Sequence, residues 1–169
     1  MIIIQYKYFI IPTFFVSCRF SIDEETQITC TFEPQVLQRL VKEASEKNEW
    51  KKLRFLYLGA TGNKTSRGIA FECEASCVPL DLLIESNVED QHNLVTLLLQ
   101  RGALPDGLRG CRRPPLQASM EKMKFSLAVT LLRNNADPSC IVGHGIFISR
   151  EVRMIVKSLG YDRCFRSLS

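Results

Sequence analysis

Leu98-Leu99-Gln100-Arg101-Gly102-Ala103-Leu104-Pro105-Asp106 and Leu131-Leu132-Arg133-Asn134-Asn135-Ala136-Asp137-Pro138-Ser139 are two versions of one unit, set 33 residues apart. A fixed period of that length constrains the fold strongly. Each unit is too small to bury its own apolar face and must stack on its neighbours, so the protein works by presenting a surface. Recognition is therefore expected ahead of chemistry.

The apolar pattern around the two copies is helical. Pro115-Leu116 starts a helix in which Leu116, Met120 and Met123 share a face, and Phe125, Leu127, Ala128, Leu131 and Leu132 continue the spacing as a second, antiparallel helix. Asn135 stands where a left-handed residue can end that helix, and Asp137-Pro138 blocks its continuation. One period earlier, Leu94, Val95, Leu98 and Leu99 take the same places and Gly102 terminates. The first helix of that copy begins at Pro79-Leu80, 36 residues before Pro115, so three extra residues are expected in the polar stretch Glu85 to Asn93. Loop closure entropy grows slowly enough to tolerate them.

On these residues the chain resembles the ankyrin repeat family. The matches are Pro115-Leu116 followed by Ala118, the apolar pairs, Gly102-Ala103 and Ala136-Asp137. Departures are Pro114 in place of the capping threonine, Gln117 in place of the histidine, and Met123 in place of the inter-helix glycine. The resemblance covers about residues 35–169 and is close over 78–142. It implies an all-α, short ankyrin-like helical repeat solenoid with hairpin fingers. The implied domains are an N-terminal segment at 1–34 and a repeat domain at 35–169. Within the latter come a divergent repeat (35–62), an insertion (63–77), repeats at 78–106 and 114–139, and a C-terminal cap (146–169). The divergent repeat rests on Leu40, Ala44, Trp50, Leu53, Phe55, Leu56 and Gly59-Ala60, with Lys51 and Lys52 at positions usually apolar. The cap rests on the stripe Ile148, Val152, Ile155 and Val156.

Charge is unevenly spread. Residues 101–169 hold 12 Lys/Arg against 5 Asp/Glu, a net of +7, which leaves 10 against 13 in the first hundred. The basic stretch Arg109-Gly110-Cys111-Arg112-Arg113 falls at an expected finger tip, where arginines can bond carboxylates bidentately. Arg109, Arg112 and Arg113 are thus the leading partner-binding candidates, with Gln117, Glu121 and Lys122 on the adjoining first helix and His144 in the next finger. The fingers are placed at about 108–113 and 140–145. The expected partner is a protein, acidic or mixed in charge. Nucleic acid is disfavoured because aromatic residues do not interleave with the basic ones.

Competing readings are specific. Leu53 to Thr65 could form a strand and glycine turn for phosphate, making the chain a nucleotide-binding enzyme fragment. However, Asn63 precedes Lys64 where Gly-Lys-Ser/Thr is needed, and Gly59 and Gly62 lack a third glycine. His92 and His144, read as loop residues, have no nucleophile at a matching spacing. Neither a catalytic residue nor a cofactor is assigned. Asn63-Lys64-Thr65 fits a glycosylation triplet, which matters only on the secretory route. Seven scattered cysteines point to reduced thiols inside the cell, in the cytoplasm with the nucleus open, and Cys73 with Cys77 lacks a second ligand pair for zinc, so no metal is assigned. Met1 to Cys18 is apolar but interrupted by Lys7 and Pro12; it reads as a packed segment, a poor signal or anchor, or a start extended into non-coding sequence. Membrane attachment depends on that segment being an anchor. An incomplete or nonfunctional gene product is the third reading, given the short, irregular array.

Overall fold

The computed structural model describes residues 2–4, 19–22, 28–31, 33–61, 69–72, 75–111, 113–141 and 148–161. Three short strands come first: β1 (Ile2–Ile4), β2 (Arg19–Ile22) and β3 (Ile28–Thr31). Helices α1 (Pro34–Glu46) and α2 (Trp50–Ala60) follow, then β4 (Ile69–Glu72). Five further helices follow among the described residues: α3 (Leu80–Glu85), α4 (Gln91–Gln100), α5 (Pro115–Glu121), α6 (Phe125–Arg133) and α7 (Arg150–Ser158). Helix dominates, the coarse class that the apolar spacing implies. The strands add one sheet in the order β1-β2-β3-β4, antiparallel except for the β3–β4 pair. A strand therefore sits within the stretch expected as an insertion, and it lies beside α2.

Turns of only three to five residues join α1 to α2, α3 to α4 and α5 to α6, so consecutive helices pair. The pairs lie in two rows. Helices α1, α3 and α5 neighbour one another in sequence, with the 3-10 turn Pro138–Ile141 against α5. Helices α2, α4 and α6 form the other row, and α7 packs on α6. Between the rows runs one apolar core, to which α1 gives Leu37 and Val41, α2 Leu53 and Tyr57, α3 Leu80 and Leu83, and α5 Leu116 and Met120. Leu94, Val95, Leu98 and Leu99 of α4 are all buried, as are Leu127, Ala128, Leu131 and Leu132 of α6. The repeated apolar positions are thus the ones that water never reaches, which supplies the driving force for stacking.

Helix ends repeat as faithfully as helix faces. Ala103 N–H donates to Leu98 O at 2.9 Å and Ala136 N–H to Leu131 O at 3.0 Å, each bond spanning a left-handed residue, Gly102 (φ +91°) or Asn135 (φ +67°). This reverse turn satisfies carbonyls that a helix end leaves open. The inter-helix turns use the same device: Asn48, Asp90 and Met123 all have φ near +56°. Met123 therefore adopts the conformation for which the resembling family uses glycine. Only α7 has a side-chain cap among these helices, Ser149 Oγ accepting from Val152 N–H at 3.4 Å.

Candidate interaction surface

The loop between α4 and α5 holds most of the candidate residues, and its shape follows from three anchors. Gly107 (φ +82°) lies so close to the start of α5 that an added Cβ would stand 2.9 Å from Pro115 Cδ and 3.2 Å from Cys111 Sγ. Asp106 Oδ1 accepts from Asp137 N–H at 2.7 Å, tying the loop to the end of the next helix pair. Arg113 Nη1 reaches Glu121 Oε2 at 2.6 Å. Between the anchors the backbone folds as successive turns, Gly107 N–H to Leu104 O and Cys111 N–H to Leu108 O, both at 3.0 Å. No strand occurs among its described residues, so the expected hairpin is here a chain of turns.

Of the expected contact residues, Arg113, Gln117 and Glu121 come together. Gln117 Nε2 donates to Glu121 Oε1 at 2.9 Å, and Arg113 lies a further 3.8 Å from Glu85 Oε1 on α3. One guanidinium thus faces two carboxylates. The pair is roughly one-third exposed and contributes at most about 1 kcal/mol, so its main effect is to hold the loop's end in place. Arg109 is exposed at the loop tip and Lys122 is exposed at the end of α5. Arg112 and His144 lie outside the described residues, as do 142–145 of the second expected finger. Its remaining part, Cys140 and Ile141, belongs to the 3-10 turn against α5.

One expectation needs correction, and the rival phosphate-loop reading loses its strand. His92 is not in a loop: it stands in the first turn of α4, exposed, with Nε2 at 3.0 Å from Thr130 Oγ1 of α6. Nor does a strand precede Gly59. Leu53 to Leu58 are interior to α2 and Gly59 is buried, because the i, i+3, i+4 spacing of Leu53, Leu56 and Tyr57 serves a helix packed on one side. The strand-to-turn geometry of a phosphate loop is absent there, and Gly62 to Thr65 lie outside the described residues.

The connections between helix pairs use residues that the repeat pattern does not single out. Tyr57 is fully buried, and burial, reinforced by the Asp81 carboxylate, pushes its hydroxyl well above the usual tyrosine range. It stays protonated and donates to Pro79 O at 2.6 Å, joining α2 to the start of α3. Lys124 Nζ donates to Ile84 O (2.7 Å), Ser86 O (3.1 Å) and Gln91 Oε1 (2.7 Å). Gln91 Nε2 in turn donates to Ser86 O at 2.9 Å and to Leu83 O. Burial and then Lys122 lower the Lys124 ammonium from its ordinary value. Gln91 and Lys124 are separated by 33 residues, the repeat offset itself, and that register is the one signal by which the sequence pairs them.

Asp137 extends the chain of contacts. Its carboxylate accepts from Ser139 N–H (2.9 Å) and Ser139 Oγ (2.6 Å), and these bonds, Ser139 Oγ foremost, hold it below the ordinary aspartate value. Asp81 is buried, with Oδ1 unpartnered, and its carboxyl is raised chiefly by burial. Burial also raises the Cys111 thiol and pushes Cys140 up to about 11. Cys77, Cys111 and Cys140 are free, and among the described residues no group of three or more His, Cys, Asp or Glu side chains is placed to hold a metal. No described helix is long and apolar enough to cross a membrane. Comparison with protein-family models and with curated proteins gives no match.

Proposed function

We propose that the chain is a noncatalytic protein–protein interaction module, a short solenoid of degenerate ankyrin-like repeats. The reading is supported by the recurrence of one helix-pair geometry, with the same buried apolar register and the same left-handed helix ends in α4 and α6. The observation that carries it is the loop from Leu104 to Arg113, which is exposed at Arg109 yet fixed at Asp106, Gly107 and Arg113. A surface held in one shape loses little conformational entropy on binding. The contact set is Arg109 with Gln117, Glu121 and Lys122, and Arg112 and His144 extend it along the chain. Because Arg113 already faces Glu85 and Glu121, the partner meets a mixed surface, offering carboxylates to Arg109 and Lys122 and donors to the two glutamates.

Affinity purification of the full chain with mass spectrometry tests this. Arg109→Ala with Lys122→Ala should remove specific partners, in a salt-sensitive way, while leaving the helical spectrum and melting curve intact. Unchanged, salt-insensitive capture by that variant would reject the assigned surface. A broad, noncooperative melt of the unmodified chain would reject the module itself.

A further inference from the structure

Asp81 of α3 and Gln117 of α5 hold matching places, each two residues after the proline, Pro79 or Pro115, at which its helix pair begins. Gln117 donates to Glu121 Oε1 at 2.9 Å, four residues on. Asp81 has the carboxylate Glu85 at the same spacing, so an attraction in one pair is a repulsion in the other. Asp81 is nevertheless only 6% exposed, and its Oδ1 is buried without a hydrogen-bond partner. Packing alone gives no reason for an ionisable group there, since burying an unpaired charge costs far more than burying a neutral amide.

The groups around Asp81 do not neutralise it. From α2, the Tyr57 hydroxyl is committed to Pro79 O at 2.6 Å. From the loop between α4 and α5, the Cys111 thiol lies 3.9 Å from Asp106 O and is raised by burial and then by the Asp81 charge. Arg113, the cation at the loop's end, faces Glu85 and Glu121 instead. Among the described residues no cation of α1, α4 or α5 forms an ion pair with Asp81. Burial above all raises its carboxyl from the ordinary aspartate value; the N–H groups of Leu82 and Asp81 oppose this and Glu85 adds to it.

We propose that Asp81 is a proton-controlled latch for the loop from Leu104 to Arg113: with the carboxyl neutral the loop stays closed against α3, and with it ionised the loop lifts and water reaches the charge. The loop is the element able to yield, because its described residues form no helix or strand and its turns rest on the single backbone bonds of Gly107 and Cys111, whereas α2 and α3 are locked by the core. A carboxyl raised in the closed state makes closing take up a proton. Closure is therefore fully favoured below the ordinary aspartate value and weakens as pH rises through the raised one. Control of recognition by this latch rests on the contact surface proposed above, but the latch itself is read without any partner.

Nuclear magnetic resonance on the full chain tests it, following the Asp81 carboxyl carbon and the amide protection of Gly107 and Cys111, corrected for the intrinsic pH dependence of exchange. The Ala128 N–H, bonded to Lys124 O inside α6, serves as reference. Protection at Gly107 and Cys111 should fall about tenfold from about pH 4 to about pH 7, the ratio that one unit of elevation carries. The fall should track the Asp81 titration and spare Ala128, and Asp81→Asn should abolish it. Asp81 titrating at or below the ordinary aspartate value, loop protection indifferent to pH, or an equal fall at Ala128 would each overturn the proposal, as would a pH step that persists in Asp81→Asn. The first three are read on the unmodified chain, so a variant that failed to fold would not shelter the proposal from them. Partner capture by Arg109→Ala with Lys122→Ala bears on the contact surface alone and leaves these readouts unmoved.

Discussion

Helix pairs α3/α4 and α5/α6 share an apolar register but turn differently between their helices. The α5/α6 turn has three residues, Lys122 to Lys124, whereas the α3/α4 turn has five, Ser86 to Asp90. Lengthening the turn changes closure entropy by only about 0.5 kcal/mol. The larger problem is polar, since each buried carbonyl left without a donor costs about 1–3 kcal/mol. Leu83 O accepts from Ser86 N–H and Ser86 Oγ within the longer turn, which leaves the Ile84 and Ser86 carbonyls to satisfy, and Gln91 from its own pair and Lys124 from the next one do so. An irregularity in one unit is thereby repaired by its neighbour, which couples the two pairs more tightly than a regular turn would.

The similarity of the two pairs is the part to break first. Leu98 and Leu131 are fully buried, occupy matching positions and accept matching bonds from Ala103 and Ala136. Leu98→Ala and Leu131→Ala should each destabilise by about 3 kcal/mol, within a span of roughly 2–5 for buried leucines. Urea unfolding of both variants measures this. A gap well above 1 kcal/mol between them would show that one site collapses around its cavity and the other does not, and that the two pairs are not equivalent in packing.

The difference between the pairs is sharpened by Lys124→Met, which keeps the aliphatic stem and removes the donor. A loss of about 1 kcal/mol is expected, because Ile84 O and Gln91 Oε1 lose their close donor while Ser86 O keeps Gln91 Nε2, together with faster amide exchange through Ser86 to Asp90. Lys122→Met, in the α5/α6 turn with Lys124 but exposed, should stay within about 0.5 kcal/mol. If the two lysines behaved alike, the cross-pair bonds would carry no weight in solution.

These two experiments also separate what the sequence made legible from what it did not. The buried leucines, the left-handed Gly102 and Asn135, the helix start at Pro115 and a longer turn between Glu85 and Asn93, by two residues where three are expected, are local matters. Spacing, backbone preference and a broken period reveal them one residue at a time. The Tyr57–Pro79 and Arg113–Glu85 contacts depend on which residues meet across the stack, and composition carries no trace of that, whereas Lys124–Gln91 leaves only the 33-residue offset as its sign. Arg113 shows the consequence. Read along the chain it is one of three neighbouring cations, but the stack places it against two carboxylates. His92 departs from its expected loop position for a related reason: a polar turn and the polar first turn of α4 look alike until the helix start at Gln91 is fixed. The sheet that includes β4 pairs strands far apart in sequence, beyond the reach of a periodic pattern.

The smallest effect concerns the three inter-helix turns, where the left-handed residue differs while the backbone does not. Asn48 and Asp90 suit that conformation, because short polar side chains tolerate it, and Asp90 is further tied to Arg54 at 3.2 Å. Met123 has neither advantage: it is 66% exposed, so little packing compensates its strain. Relieving a left-handed conformation is worth about 1–2 kcal/mol, and the extra freedom of glycine in the unfolded chain takes back roughly 0.5–1 kcal/mol. Met123→Gly should therefore stabilise by about 0.5–1 kcal/mol, whereas Asn48→Gly should lie near zero and Asp90→Gly should lose a few tenths with its ion pair. Thermal melts of the three variants under one condition order them. A loss at Met123 would mean that its side chain shields the α5/α6 turn despite its exposure, and that the shorter turn, like the longer one, depends on a side chain to cover it.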